Sequence, residues 1–334
     1  MIFTPKSVYC SKMYFLRLLL SMATLVAANR ASAWGFLGHR LINNRAVFAL
    51  PPEMFGFYKK HIDYITQHSV DPDSRRYLMA DEACRHYLDC DRYEKSAPLD
   101  TIPHRWHEAV EKYSEDTLLS HGIVPWHCLS MLSRLTKAFE ERNLQKILKI
   151  SADIGHYIAD AHVPLHSSRN YNGQLTGQEG IHALWESRIP QLLSDSFDLY
   201  TGSAVYLFKP SDYIWGTMGR SYMLVDSVLK LERNASAMHP ENKYSFETRG
   251  AQTLEVYSLP FCLDYNQMME NMAERRMRQA IFSVASFWYT AWVNAGQPDL
   301  DKLMGTVVQD EEELEAEKAR QSGKMKGREE HGKD

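Results

Sequence analysis

Cysteine is scarce in this sequence, with five in 334 residues, and no two of them form a C-x-x-C pair. A zinc site built from paired thiolates is therefore not indicated. Long apolar runs are also few. The main one in the body of the chain, residues 280–293, is too short to span a bilayer and predicts a buried core helix. There is no G-x-S-x-G motif that would indicate a serine nucleophile.

The chain has no excess of positive charge. Its formal net charge is −4 at pH 7, which gives no long-range attraction for polyanions. Nucleic-acid binding would therefore depend on local cations or metals. Hydrophobic residues make up 44% of the chain, which is enough for a globular protein to bury a core.

The first 33 residues are typical of an export signal. They carry a positive start, an apolar stretch and an A-x-A cleavage site at residues 31–33. Translation from Met13 would give a more compact signal. A membrane anchor is the alternative, but the apolar run is short for one. We expect a cleaved signal, a mature chain that starts at Trp34 with no transmembrane span, and a secreted or periplasmic protein.

Four cysteines remain after such a cleavage, and an even number in an exported protein permits one or two disulfides. The sequence leaves their pairing open. At the other end, residues 306–334 are highly charged and contain few large apolar residues. They predict a solvated helix or a disordered tail, with no catalytic role.

Between these ends, apolar residues recur at spacings of three and four, which predicts helices. Asn143 marks a joint between two of them. We expect one all-α, multi-helix domain over residues 34–305. The predicted helices cover residues 51–69, 126–143, 144–163, 181–193, 222–233 and 265–296.

Paired histidines and carboxylates are the most informative feature. His156 and Asp160 are four residues apart on a predicted helix, so both side chains lie on one face. His166 follows Pro164, which should end that helix and turn the chain back. His162 lies about 200° around the helix from Asp160, at about 100° per residue, and is not expected to be a ligand.

A second pair with the same spacing is His182 and Glu186. Imidazole and carboxylate groups held this way are suitable zinc ligands. A single such pair is more often a surface hydrogen bond. A metal site is favoured here because three features occur together. They are the two pairs, the histidine after a helix-ending proline and the Trp-x4-His start.

Together these residues resemble the zinc-dependent phospholipase C / P1-S1 nuclease superfamily, whose mature chains start with a tryptophan that binds zinc through its amine and carbonyl. For the aspartate before the His-aromatic dipeptide, Asp71 matches the family's separation, although Asp73 or Asp81 could serve. The matching positions are Trp34, His39, Asp71, His86, His156, Asp160, His166, His182 and Glu186.

The resemblance implies an all-α domain with three zinc ions in a cleft. It assigns the first zinc to Asp71, His86, His156 and Asp160. It assigns the second to His166, His182 and Glu186. It assigns the third to Trp34, His39 and Asp160, so that Asp160 bridges two ions.

The implied reaction is hydrolysis of a phosphodiester by a metal-activated water, with Asp160 between metals and Asp71 assisting proton transfer. The substrate is a phospholipid headgroup or a single-stranded nucleic acid, and no stable protein partner is expected. Glu186 in place of aspartate, the short linker 166–182 and the lack of basic charge favour a phospholipase C. Tyr87 and Asp89 leave an S1/P1-type nuclease open, because the nucleases have a base-stacking aromatic and a base-binding carboxylate there.

Two rival interpretations belong to other classes. A di-iron or di-manganese bundle would be dominated by glutamates in Glu-x-x-His pairs, whereas histidine predominates here. A non-catalytic zinc-binding protein with a blocked cleft would keep the same ligands, and the sequence does not exclude it.

Overall fold

The computed structural model describes residues 35–95, 99–250, 252–303 and 311–323. The predicted signal and Trp34 lie outside these ranges. The described chain is one helical domain, which confirms the predicted all-α fold. Its helices are α1 (Gly35–Val47), α2 (Pro52–Lys60), α3 (Ile62–Gln67), α4 (Asp71–Arg75), α5 (Trp106–Tyr113), α6 (Glu115–His121), α7 (Val124–Glu140), α8 (Leu144–Ala161), α9 (Ile181–Ala183), α10 (Ile189–Leu193), α11 (Pro210–Met238), α12 (Leu259–Met268), α13 (Met272–Asn294) and α14 (Glu311–Gln321).

Helix α8 lies at the centre of the domain. Every residue from 151 to 161 is buried, because α7, α1 and α13 pack around this half of the helix. Asn143 is the predicted joint before it, and its side chain accepts a hydrogen bond from the Lys146 amide at 3.0 Å, which caps the helix start. A helix buried on all sides can direct polar side chains only toward each other or toward a bound group.

Helix α1 approaches α8 closely at one glycine. The Asn43 side chain is fully buried and donates a hydrogen bond to the Ala152 carbonyl of α8 at 3.0 Å. A Cβ on Gly155 would lie 2.1 Å from Asn43 Oδ1, so only glycine fits there. This contact holds α1 against α8 next to His156, the residue that follows Gly155.

The chain departs from the predicted elements in two places. The predicted helix 265–296 is broken between α12 and α13, where Glu270 and Asn271 adopt left-handed backbone angles, φ 53° and 55°. Residues 234–264, between two predicted helices, contain an antiparallel hairpin of β1 (Tyr244–Arg249) and β2 (Gln252–Tyr257), in which Tyr244 is opposite Tyr257. Apolar and polar residues alternate over 244–247 and 254–256, so a short strand signal was present in the sequence.

Residues 311–323 of the predicted tail are described by the structure. Helix α14 forms there and packs against α4. Ser74 donates a hydrogen bond to Glu317 at 3.3 Å, Ala316 is buried, and the Arg320 guanidinium lies over the Phe36 ring at 4.9 Å. Acidic and basic residues three apart stabilise such a helix. Residues 324–334 lie outside the described ranges.

No disulfide links the four cysteines in the described part of the chain. All four are buried free thiols, namely Cys84, Cys90, Cys128 and Cys262. In the same ranges, no helix is long and apolar enough to cross a membrane.

Substitution at the α1–α8 contact should destabilise the fold. Gly155→Ala places a methyl group on the buried Asn43 side chain, and we expect the free energy of unfolding to fall by about 1–3 kcal/mol. Gly56→Ala is the matched control, because Gly56 lies on the exposed side of α2 with open space around it. Helix propensity predicts that the control gains up to about 1 kcal/mol. Urea denaturation measures both changes, and equal stability of Gly155→Ala and the parent would contradict the packing argument.

Candidate metal centre

Helices α1 and α8 bring together the first group of metal-binding side chains. His39 of α1 stacks on His156 of α8 with 3.8 Å between ring centroids. Its Nε2 lies 3.4 Å from Asp160 Oδ1, and His156 Nε2 lies 3.3 Å from Asp160 Oδ2. All three residues are at most 1% exposed. One ligand atom from each lies within 4.8 Å of the others, close enough to hold one metal ion.

The second group shares His156 with the first and adds Asp73 and His86. Asp73 Oδ1 lies 3.8 Å from His156 Nε2 and 3.9 Å from His86 Nδ1. His86 Nδ1 also lies 3.0 Å from Asp160 Oδ2. Asp160 is therefore positioned between the two groups, as the resemblance implies for a bridging carboxylate.

The structure places Asp73, not Asp71, beside His86. Both residues belong to α4, and two helical steps of about 100° turn their side chains to nearly opposite sides. Asp71 instead lies with Oδ2 2.6 Å from His68 Nδ1, and Asp71 belongs to none of the three groups.

The third group contains His166, His182 and Glu186. His166 lies in a 3₁₀ turn, Pro164–Ser167, directly after α8, so the proline turns the chain back as predicted. Its Nε2 lies 2.9 Å from Glu186 Oε1, and His182 Nε2 lies 3.2 Å from Glu186 Oε2. Glu186 lies in a π-helical turn, Leu184–Arg188, an irregularity common at functional sites.

Three of the histidines are oriented by the same kind of hydrogen bond. A carbonyl can only accept, so each Nδ1 must carry the proton, and the Nε2 lone pair is left to face the groups described above. Metal-binding histidines are held in this way by outer partners. The bonds from Nδ1 to carbonyl oxygen are His156 to Ser69 at 2.8 Å, His166 to His86 at 2.6 Å and His182 to Tyr171 at 3.1 Å.

Buried charge dominates the electrostatics of the site. Burial opposes ionisation of Asp160, but the neighbouring His156 and His166 outweigh it and hold its pKa well below the usual range. Burial also disfavours the charged ring of His86, yet hydrogen bonds to Asp160 and Glu82 raise its pKa to about 9. Ionised carboxylates in a site without water attract cations strongly.

The residues fit bound metal ions. In the part of the chain described, His39 Nδ1 and Asp73 Oδ2 are buried and have no hydrogen-bond partner. A polar atom in that position is costly unless something binds it. The donor set of imidazoles and carboxylates suits zinc.

His162 and Trp34 are the remaining positions named from the sequence, and only His162 lies in the described residues. His162 points away from the site, with Nδ1 2.7 Å from the Ile158 carbonyl and Nε2 3.0 Å from Ser283. Trp34 lies outside the described residues. Its neighbour Gly35 is buried, and the Gly35 amide donates to Ser187 Oγ at 3.3 Å, one residue after Glu186.

Glu82 was not identified from the sequence. It is fully buried, and Oε1 lies 3.6 Å from His86 Nε2, on the side of the ring opposite Nδ1. It therefore orients His86 in the manner of an outer-sphere carboxylate. Glu82 and His86 are four residues apart, the same spacing as the two pairs that were recognised, so the pattern was present in the sequence.

Comparison with known proteins indicates a family for this chain. The family model described as "Zinc dependent phospholipase C" matches residues 38–240. A search of curated proteins found no match. Among solved structures, the chain is similar to Alpha Toxin from Clostridium Absonum, with 14% sequence identity and a TM-score of 0.45. The match covers 81% of this chain and 65% of the toxin chain, so less than two thirds of the toxin is represented.

Exchange of the two neighbouring aspartates should distinguish their roles. We expect Asp73→Asn to weaken zinc binding by at least about 10- to 100-fold, because it removes a carboxylate from the second group. Asp71→Asn is the matched control and should keep the zinc affinity of the parent, since its amide can still hydrogen-bond to His68. Zinc titration against a competing chelator measures both. The assignment is wrong if Asp71→Asn loses zinc and Asp73→Asn does not.

Proposed function

The chain belongs to the zinc-dependent phospholipase C family, and we propose that it is an exported phosphodiesterase that hydrolyses a phospholipid headgroup ester. The observation that carries the proposal is the convergence of eight buried side chains into three groups of ligands, two of which share His156: His39, Asp73, His86, His156, Asp160, His166, His182 and Glu186.

We propose that three zinc ions would be held here: one by His39 and Asp160, one by Asp73, His86, His156 and Asp160, and one by His166, His182 and Glu186. Bound zinc would supply Lewis-acid polarisation of the phosphoryl group and would acidify a nearby water to near-neutral pKa. The chain's own residues prepare the site for this chemistry. Ser69 and the other carbonyl partners fix the tautomers of the histidines, and the surrounding core excludes bulk water.

Asp73 replaces Asp71 as the proposed second acid–base residue. Its Oδ1 lies within 4 Å of both His86 and His156, and its Oδ2 is buried without a hydrogen bond in the described chain. An acceptor in that position can take a proton from an attacking water. Asp71 is paired with His68 and belongs to none of the three ligand groups.

Trp34 is proposed to complete the group that contains His39. The position of Gly35 supports this, because Gly35 begins α1 one helical turn before His39, and its amide donates to Ser187 Oγ. A free amine is needed, so cleavage after Ala33 would create the ligand. A chain that keeps one extra alanine before Trp34 should bind one zinc fewer per molecule, and unchanged zinc content would refute this part of the proposal.

Burial of Tyr87 and Asp89 favours a lipid over a nucleic acid as substrate. Each is 5% exposed, and Tyr87 packs against the backbone at Gly122. A base-stacking platform requires an accessible aromatic face, which Tyr87 does not present.

A substrate comparison tests the proposal. The zinc-loaded mature protein should release phosphorylated headgroup from phosphatidylcholine vesicles much faster than it cleaves single-stranded DNA or RNA. His182→Ala should lower that rate by more than about 100-fold, because it removes a ligand. His107→Ala, at an exposed histidine on α5, is the control and should retain the rate. Preference for either polynucleotide would overturn the choice of substrate. A protein that retains its zinc but hydrolyses none of these substrates would instead be a non-catalytic zinc-binding protein.

A further inference from the structure

A second polar cavity lies beside the metal centre and is lined mainly by cations. It has a volume of about 240 Å³, room for several water molecules. We call it the basic cavity. Its charged and titratable lining residues are Arg75, Arg85, His127, Arg134, Lys149, Asp153 and Tyr157.

Arg75 supplies the buried donor of the basic cavity. Its side chain is 8% exposed. Nη2 binds Asp153 at 3.0 Å and Tyr157 at 3.3 Å, and Nε lies 3.8 Å from Glu82. Nη1 is buried and makes no hydrogen bond within the described ranges. Leaving such a charged donor without an acceptor costs more than 1–3 kcal/mol, roughly the penalty for a neutral group.

The other two arginines of the basic cavity differ in whether a carboxylate pairs with them. Arg85 is held by Glu82 at 2.5 Å and by Asp81 at 2.9 Å. Arg134 is exposed, and its Nη1 contacts the Met131 sulfur at 4.0 Å; it pairs with no carboxylate among the residues described. Two guanidinium groups therefore retain donors for a further acceptor.

His127 contributes no charge to the basic cavity. Burial lowers its pKa to about 3, assisted by the charge of Arg85, so its ring is neutral near pH 7. Asp153 is the only carboxylate in the lining, and Arg75 already occupies it. A metal cation is therefore not a suitable ligand for this space.

We propose that the basic cavity binds a phosphate or phosphomonoester dianion between Arg75 and Arg134. Planar guanidinium groups bind tetrahedral oxyanions through paired donors, and such an anion supplies the acceptor that Arg75 Nη1 lacks. The proposal does not depend on the catalytic activity proposed above. Glu82, which is outside the lining, contacts Arg75, Arg85 and His86, so one carboxylate links the cavity to the metal centre.

Calorimetric titration of the zinc-loaded protein with inorganic phosphate tests the site. Phosphate can also bind zinc, so the variants must isolate the cavity. Arg134→Glu should weaken one class of binding by at least about tenfold, since it removes a charged donor and adds a repelling carboxylate. Arg105→Glu makes the same change of charge at an exposed arginine that pairs only with neighbouring Glu108, and it should bind phosphate like the parent.

Arg75→Lys is the second variant, because it keeps the charge but removes Nη1, and it should also bind more weakly. If Arg75→Lys fails to fold, the comparison of Arg134→Glu with Arg105→Glu still tests whether the cavity binds phosphate. Equal phosphate binding by the parent, Arg134→Glu and Arg105→Glu would overturn the proposal and would mean that water fills the cavity.

Three ligands distinguish the source of the anion. Inorganic phosphate, glycerol 3-phosphate and phosphocholine carry the same phosphate group, and binding of all three would assign the site to that group. Binding of phosphate alone would assign free phosphate, and binding of phosphocholine alone would assign a released headgroup. A tungstate soak should place tungsten beside Arg75 Nη1. Tungsten only at the three ligand groups would contradict the site.

Discussion

The fold is organised around a buried negative charge, Asp160. Its carboxylate contacts His39, His86 and His156, so it joins α1, the segment before residue 90 and α8 at one point. Removing a carboxylate from water costs several kcal/mol unless positive charge compensates it. The histidines provide part of that compensation, and bound metal would provide the rest. Much of the surrounding structure serves to hold these groups in place without water.

The arrangement around Asp160 explains otherwise unrelated local features. Gly155 allows α1 to approach α8 closely enough for His39 and His156 to stack. Pro164 ends α8 and returns His166 toward Glu186. The π turn at Leu184–Arg188 shifts the face on which Glu186 lies. Each of the three helps to place a ligand-type side chain.

A second layer of charge lies outside the ligands. Glu82 contacts His86 on one side and Arg75 and Arg85 on the other. Burial opposes ionisation of Glu82, but His86 and these two arginines hold its pKa below the usual range. Arginine suits this role because it remains charged when buried.

Helical spacing made much of this predictable. Pairs four residues apart, such as His156 with Asp160, lie on one face whatever surrounds them, so these residues could be grouped from sequence. Asp73 could not be chosen over Asp71 in the same way, because that choice depends on how the short α4 is rotated by its neighbours. The packing of α14 was missed for a similar reason, since a charged helix with one buried alanine has no apolar face to detect.

The most direct test of the account is a crystal structure of the mature protein with anomalous data collected on both sides of the zinc absorption edge. The account predicts zinc peaks in all three groups, one of them between His39 and Asp160. A single peak, or peaks distant from Asp160, would contradict it.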